Sequence, residues 1–256
     1  ESKAVNRAAL EALTTLDLDA AAPLVEKRIN ESPDIPTRQH AISLLPDLHA
    51  NEIMETLVTK LAAGEVKPGI ALDIFTAGKS PAFGDDRAIA EPIEKIEAKW
   101  NATMATDPLA PFEYTLEGGD AARGRSLFLN HEAAQCIRCH KLKKGKGSDV
   151  GPNLEFVAKK NDRRYLLEAL VAPYTTVAKG YGTISITLKD GTIVAGQFRG
   201  EEDGVLTIRD PEKVETKIKE EDIKDRSPVI STMPPMGFIL KKDEMRDVIE
   251  FLATLK

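Results

Sequence analysis

The chain has two cysteines, three positions apart, with a histidine directly behind the second: Cys136-Ile137-Arg138-Cys139-His140. Two thiols at this spacing reach the two vinyl groups of one haem and hold it by thioethers. The adjacent imidazole then turns onto the iron as an axial ligand. Other chemistries share parts of the pattern. A thioredoxin-like dithiol normally sits on a βαβ unit, and no such pattern flanks these residues. A zinc site could combine both cysteines with His131 and His140, but the second half of a zinc module is missing. A disulfide between the two would close a loop too small to stabilise much.

Bulk properties bound the rest. The chain has 256 residues, 42% of them hydrophobic and 30% charged, with a net charge of −6. The length allows two modest domains, and the composition argues against disorder. The negative charge argues against nucleic acid as a partner. No apolar run reaches the length of a membrane span. Residues 1–20 lack the basic-then-apolar order of a signal peptide, yet covalent haem attachment resembles the history of an exported protein. The expectation is a periplasmic or otherwise exported chain, either processed or a fragment of something longer.

Residues 4 to about 100 read as helical. Apolar residues recur at helical spacing through Ala9, Leu10, Leu13 and Leu16, then Leu24, Val25 and Ile29. The pattern returns about 32 positions later at Ala41, Ile42, Leu45 and Leu48, then Leu57 and Leu61. A weaker third copy runs through Ile70, Leu72, Ile74 and Phe75, followed by a helix from Arg87 to Trp100. Prolines 23, 33, 36, 46 and 68 are read as punctuation. Paired helices at this period are similar to HEAT repeats; a plain helical bundle is the alternative. His40 and His49 lie without acidic or cysteine neighbours and read as structural or surface residues.

The expected division is a HEAT-like domain over 1–104, a linker over 105–117 (Pro108 and Pro111 fall in it) and a second domain over 118–256. Asp120 is a plausible helix N-cap there. A helix spans about Asp162 to Val171. From Tyr181 the period switches to two, with strand-like runs Thr183–Leu188, Ile193–Phe198, Val205–Ile208 and Val214–Ile218. Asp190-Gly191 and Asp203-Gly204 mark turns. A last helix carries apolar residues at 245, 248, 249, 252 and 255. The fold class is mainly α, α+β overall, with a small antiparallel insertion at about 180–226.

Residues 118–256 resemble a class I cytochrome c interrupted by that β insertion. The motifs stand in order: Gly124-x-x-x-Phe128, Cys136-x-x-Cys139-His140, Gly151-Pro152-x-Leu154, Met233-Pro234 and a terminal helix ending in Phe251-Leu252. The PVC-type haem-binding domain family is closer still. It shares Tyr181-Gly182, Asp190-Gly191 nine positions on, and Ser231-Thr232-Met233-Pro234. The resemblance implies one covalent haem c on Cys136 and Cys139, with His140 and Met233 as iron ligands and Met236 as the alternative to Met233. It also implies that the Pro152 carbonyl accepts a hydrogen bond from the proximal imidazole, fixing its tautomer. Met54, Met104 and Met245 are better explained by packing, and His131, just before the motif, is a poor distal ligand.

The function implied is single-electron transfer between an upstream dehydrogenase-like domain or protein and a downstream acceptor, as a module of a larger oxidoreductase. No general base, nucleophile or substrate pocket is legible, so the chain is not expected to be an enzyme by itself. A haem-based ligand sensor or peroxidase with a displaceable sixth ligand is the alternative, and an assembly scaffold built on the repeats is a third reading. Lys141, Lys143, Lys144 and Lys146, followed by Lys159, Lys160, Arg163 and Arg164, could steer an acidic redox partner. The β insertion is expected to shield a haem edge or dock a neighbouring domain.

Overall fold

Helix starts follow short acidic side chains. Asp17 accepts from the Ala20 amide at 3.0 Å and opens α2 (Leu18–Glu31), which follows α1 (Lys3–Leu16). Asp34 accepts from the Thr37 amide and opens α3 (Ile35–Ser43). After α4 (Asn51–Ala62) and α5 (Ala71–Gly78), Asp86 caps α6 (Arg87–Thr103). Each cap satisfies an amide that the first helical turn leaves without a partner. This is a computed structural model, and it describes residues 3–142 and 147–256.

The chain divides into two compact units: Glu1–Ala121 with Lys242–Glu250, and Ala122–Lys241 with Phe251–Lys256. The architecture is α+β, with helices throughout and one small antiparallel sheet.

In the first unit, among the described residues, six helices share one core. Packing runs α1 on α2, α2 on α3 and α4 on α5, while α3 also meets α5 and α4 meets α6. The shared core includes Val25, Ile42, Met54, Val58, Ile74 and Ile89. Not every stripe position is used: Leu16 is 83% exposed and Leu24 47%. Pro23 is not punctuation but lies inside α2, where the missing amide is offset by the buried faces of Val25 and Ile29.

Residues 105–117, expected as a linker, fold onto this unit. Leu109, Ala110 and Thr115 are buried in and beside a 3-10 turn, Ala110–Thr115. Tyr114 packs edge-on to Trp100, with ring centroids 5.4 Å apart. Gly118 has φ +84, and a Cβ there would lie 2.2 Å from the Gly69 carbonyl oxygen, so only glycine fits. Gln39 Nε2 donates to both Gly69 O and Gly118 O at 2.8 and 2.7 Å.

The last helix, α10 (Lys242–Ala253), comes far later in the chain, yet its first nine residues complete this unit. Arg246 donates to Asp73 of α5 at 2.7 Å, with side-chain exposures of only 6% and 17%. The Lys242 ammonium sits 4.3 Å from the Trp100 ring centroid. The amide of Asp120 donates to the Asp247 carboxylate.

The second unit carries α7 (Ala121–Asn130), the one-turn α8 (Cys136–Cys139) and α9 (Arg163–Val171), the last capped by Asp162. Phe128 of α7 meets Phe251 at a centroid distance of 5.8 Å. The sheet has β1 (Thr183–Leu188), β2 (Ile193–Glu202), β3 (Val205–Arg209), β4 (Glu215–Lys219) and β5 (Ile223–Arg226) in the order β4-β3-β2-β1-β5. Alternation puts Ile184, Ile186, Leu206, Ile208 and Ile218 on one buried face. Asp203 and Gly204, both left-handed, form the two-residue turn between β2 and β3. The short, charged β5 escaped the periodicity because one apolar residue, Ile223, carries no alternation; such sequences suit an edge strand.

The Arg246–Asp73 pair tests the discontinuous first unit. Asp73→Ala leaves a buried guanidinium without its counter-charge and should cost about 3–5 kcal/mol in urea unfolding. The paired replacement Asp73→Leu with Arg246→Met should restore most of that loss.

Candidate metal centre

The five-residue motif is a single helical turn entered through a sharp corner. Gln135 is left-handed (φ 43°, ψ 40°) and delivers the chain into α8. The His140 amide donates to Cys136 O at 2.9 Å and closes the turn. Both thiols are free; Cys136 is half-buried and Cys139 exposed. Burial pushes the Cys136 thiol above its ordinary value. A reactive Cys-x-x-Cys pair works the other way, through a depressed thiol pKa.

His140 leaves the helix in extended conformation, with a half-buried side chain. Its Nδ1 lies 2.9 Å from the Pro152 carbonyl oxygen. A carbonyl can only accept, so Nδ1 carries the proton and Nε2 keeps its lone pair. In this tautomer a neutral histidine can bind a metal through Nε2. Burial lowers the His140 pKa, and the Pro152 hydrogen bond opposes the shift without cancelling it.

The backbone on either side is zipped together. The Gly151 amide donates to Cys139 O at 2.7 Å and the Leu154 amide to Lys141 O at 2.8 Å, bracketing the imidazole bond. A Cβ on Gly151 would lie 2.7 Å from His140 Cε1, so the chain passes flat against the ring only because residue 151 is glycine. Gly147 (φ +94) is the second requirement: a Cβ there would come within 2.1 Å of His140 O. The expected partners Cys136, Cys139, His140 and Pro152 are therefore brought together. Gly147 is a positioning residue that motif spacing alone did not expose.

Met233 stands in the loop after β5, half-buried, its amide donating to Ser231 Oγ at 3.2 Å. Met236 is 4% exposed and opens the 3-10 turn Met236–Phe238, which packs against α9. Met54 and Met245 are fully buried, as packing requires, whereas Met104 is 48% exposed at the end of α6. His131 Nδ1 accepts from the Ala133 and Ala134 amides at 3.2 and 3.1 Å and caps a turn. His40 Nε2 lies 3.2 Å from Arg7 O, and His49 occupies a left-handed turn (φ 46). Among the described residues no three His, Cys, Asp or Glu side chains group to hold a metal ion. Haem iron does not need such a group, because the macrocycle itself provides four ligands.

Of the basic cluster, Lys143, Lys144 and Lys146 lie outside the described residues. Lys159 stands over the Phe156 ring at 4.3 Å. Among the described residues no helix is long and apolar enough to cross a membrane. No family model matches the chain, and no curated protein matches it significantly.

Two outcomes follow from the geometry around His140. Gly151→Ala adds one methyl group against the ring without backbone strain, and should cost about 1–3 kcal/mol of stability in urea unfolding. For the chain with His140 unligated, the folded pKa lies below the ordinary 6.5. Below that pH the unfolded chain binds the extra proton first, so stability is present above about 6.5 and falls as pH drops toward the folded value. Urea midpoints at mildly acidic pH should fall relative to neutral pH, and His140→Gln should flatten part of the difference.

Proposed function

We propose that the second unit binds one haem covalently and that the protein transfers single electrons. Cys136 and Cys139 would form the thioethers, His140 Nε2 the proximal bond, and Met233 the distal one. The bond from His140 Nδ1 to Pro152 O, at 2.9 Å, carries this reading. It leaves one imidazole nitrogen deprotonated and held in place, directly behind two free thiols on one helical turn. A disulfide has no use for that arrangement, and the burial that raises the Cys136 thiol works against a thiol nucleophile.

The residues present fit the group. Gly151 leaves a flat approach against the imidazole, which any side chain would close. Large apolar side chains stay exposed in the loops on both sides of the candidate ligands. Val150 (53%) and Phe156 (53%) follow His140 in sequence, while Ile230 (58%) and Phe238 (92%) flank Met233. When bound, the haem supplies reversible one-electron chemistry, its potential raised by a thioether ligand.

Met233 is favoured over Met236 because of what each side chain already does. Met236 is part of the packing beneath α9, and pulling it out would open a cavity. Met233 is half-buried at a bend followed by Pro234 and Pro235. On the same reading the paired helices of the first unit are a short HEAT-like array. Residues 118–256 would be a class I cytochrome c domain with the sheet as its insertion, its last helix shared with the first unit through Lys242–Glu250. The electron source would be an upstream dehydrogenase-like domain or protein of an exported, periplasmic-type oxidoreductase, and the acceptor a separate redox protein.

The expected reduced spectrum has a sharp c-type α band, and haem stays with the protein through acid-acetone extraction. Free extraction of haem overturns the proposal. Cys136→Ala with Cys139→Ala should abolish covalent retention. Met233→Ala should remove the methionine–Fe(III) charge-transfer band and admit carbon monoxide rapidly. Met236→Ala should keep the band and lower stability by about 2–4 kcal/mol. Rapid carbon monoxide binding by the unaltered protein would instead favour a sensor or peroxidase.

A further inference from the structure

The sheet reaches the loop that holds His140 through two side chains. Gln197, on the face of β2 opposite the buried Ile184–Leu206 cluster, donates from Nε2 to Val150 O at 3.1 Å. Lys213, in the turn between β3 and β4, places its ammonium 3.2 Å from Asp149 Oδ1. Asp149 and Val150 immediately precede Gly151, which lies against the His140 ring, and Pro152, whose carbonyl holds Nδ1.

We propose that the sheet is a clamp on the proximal loop, and that Gln197 and Lys213 are positioning residues that set the strength of the His140–Pro152 hydrogen bond. The inference rests on the reading of His140 as an iron ligand. Three observations carry it. The two tethers hold consecutive loop residues, one from strand β2 and one from the β3–β4 turn, so the loop is fixed in direction as well as in place. Gln197 is itself braced: Arg199 Nη1 donates to its Oε1 at 3.2 Å and to Gly180 O at 2.8 Å. Lys213 is left-handed (φ 69), a conformation that glycine or asparagine adopts more readily. The turn thus keeps a lysine at a strained position, and its ammonium reaches Asp149.

Magnitude separates positioning from stability. An ion pair this exposed contributes little to folding, so its consequence lies in where Asp149 is held. A bond to the far nitrogen of a ligating imidazole raises its basicity and favours the oxidised metal. Loosening the loop weakens that bond, so the reduced form should gain.

The test uses the full-length protein as produced with haem. Variants are Gln197→Ala, Lys213→Gly and the two together, with Lys219→Ala, which breaks an exposed pair with Glu221, as control. Lys213→Gly relieves the left-handed strain, so its fold should be at least as stable as the parent. Hydrogen exchange at the Gly151 and Leu154 amides should quicken about fivefold or more in the double variant and stay unchanged in the control. In the same samples the ratio of reduced to oxidised haem, at the parent's midpoint potential, should rise about threefold, and Lys213→Arg should restore it. Unchanged exchange in the double variant overturns the clamp. So does faster exchange with an unmoved redox ratio, because the loop would then not govern the ligand bond. If the parent carries no covalent haem, the functional reading fails and with it the redox role, whereas the exchange result still decides whether the sheet holds the loop.

Discussion

A neutral imidazole has one nitrogen that donates and one that accepts, and a neighbour that can only accept fixes which is which. The Pro152 carbonyl is such a neighbour to His140, and the backbone around it is held by several separate contacts. Gly147 lets the chain turn back across His140 O, Gly151 lets it lie against the ring, and two amides fasten the strands of the turn on either side. The sheet then grips the same loop at Asp149 and Val150. Each contact is modest alone. Together they remove the freedom of a ring that, on a loose loop, would sample both tautomers and many tilts.

The first unit solves a different problem with a similar economy. Its helices come early in the chain, but its core is closed by a helix that comes last. Burying Arg246 and Asp247 in that interface would be unfavourable without partners. Asp73 and the Asp120 amide provide them, and Trp100 accepts the Lys242 ammonium on its face. The polar anchors specify how α10 docks, since an apolar stripe alone would tolerate a slip of one helical turn.

Much of this was legible beforehand. The helices of the first unit, the α9 start at Asp162 and four of the five strands follow from period and caps, because local backbone preferences and one-sided burial leave direct marks on residue order. The hydrogen bond between His140 and Pro152 was implied by the family resemblance that the motifs from Gly124 to Met233 carry. What stayed hidden depends on distant residues meeting. The segment 105–117 reads as a linker because its prolines and polar residues resemble one; it folds because Gln39 and Gly69 wait for Gly118. The strand β5 has no pattern of its own and exists because β1 offers it an edge.

By itself the sequence determined the chemistry on offer: two thiols and an imidazole at the spacing of one helical turn, followed by a glycine and a proline. Side-chain identity and near-neighbour spacing are local properties, so they can be read from order alone. Only the tertiary structure decided which backbone positions around His140 must be glycine, which methionine is spent on packing, and what the sheet is attached to. Those outcomes depend on hydrogen-bond acceptors and packed surfaces brought together across tens of residues, and linear order does not encode their distance.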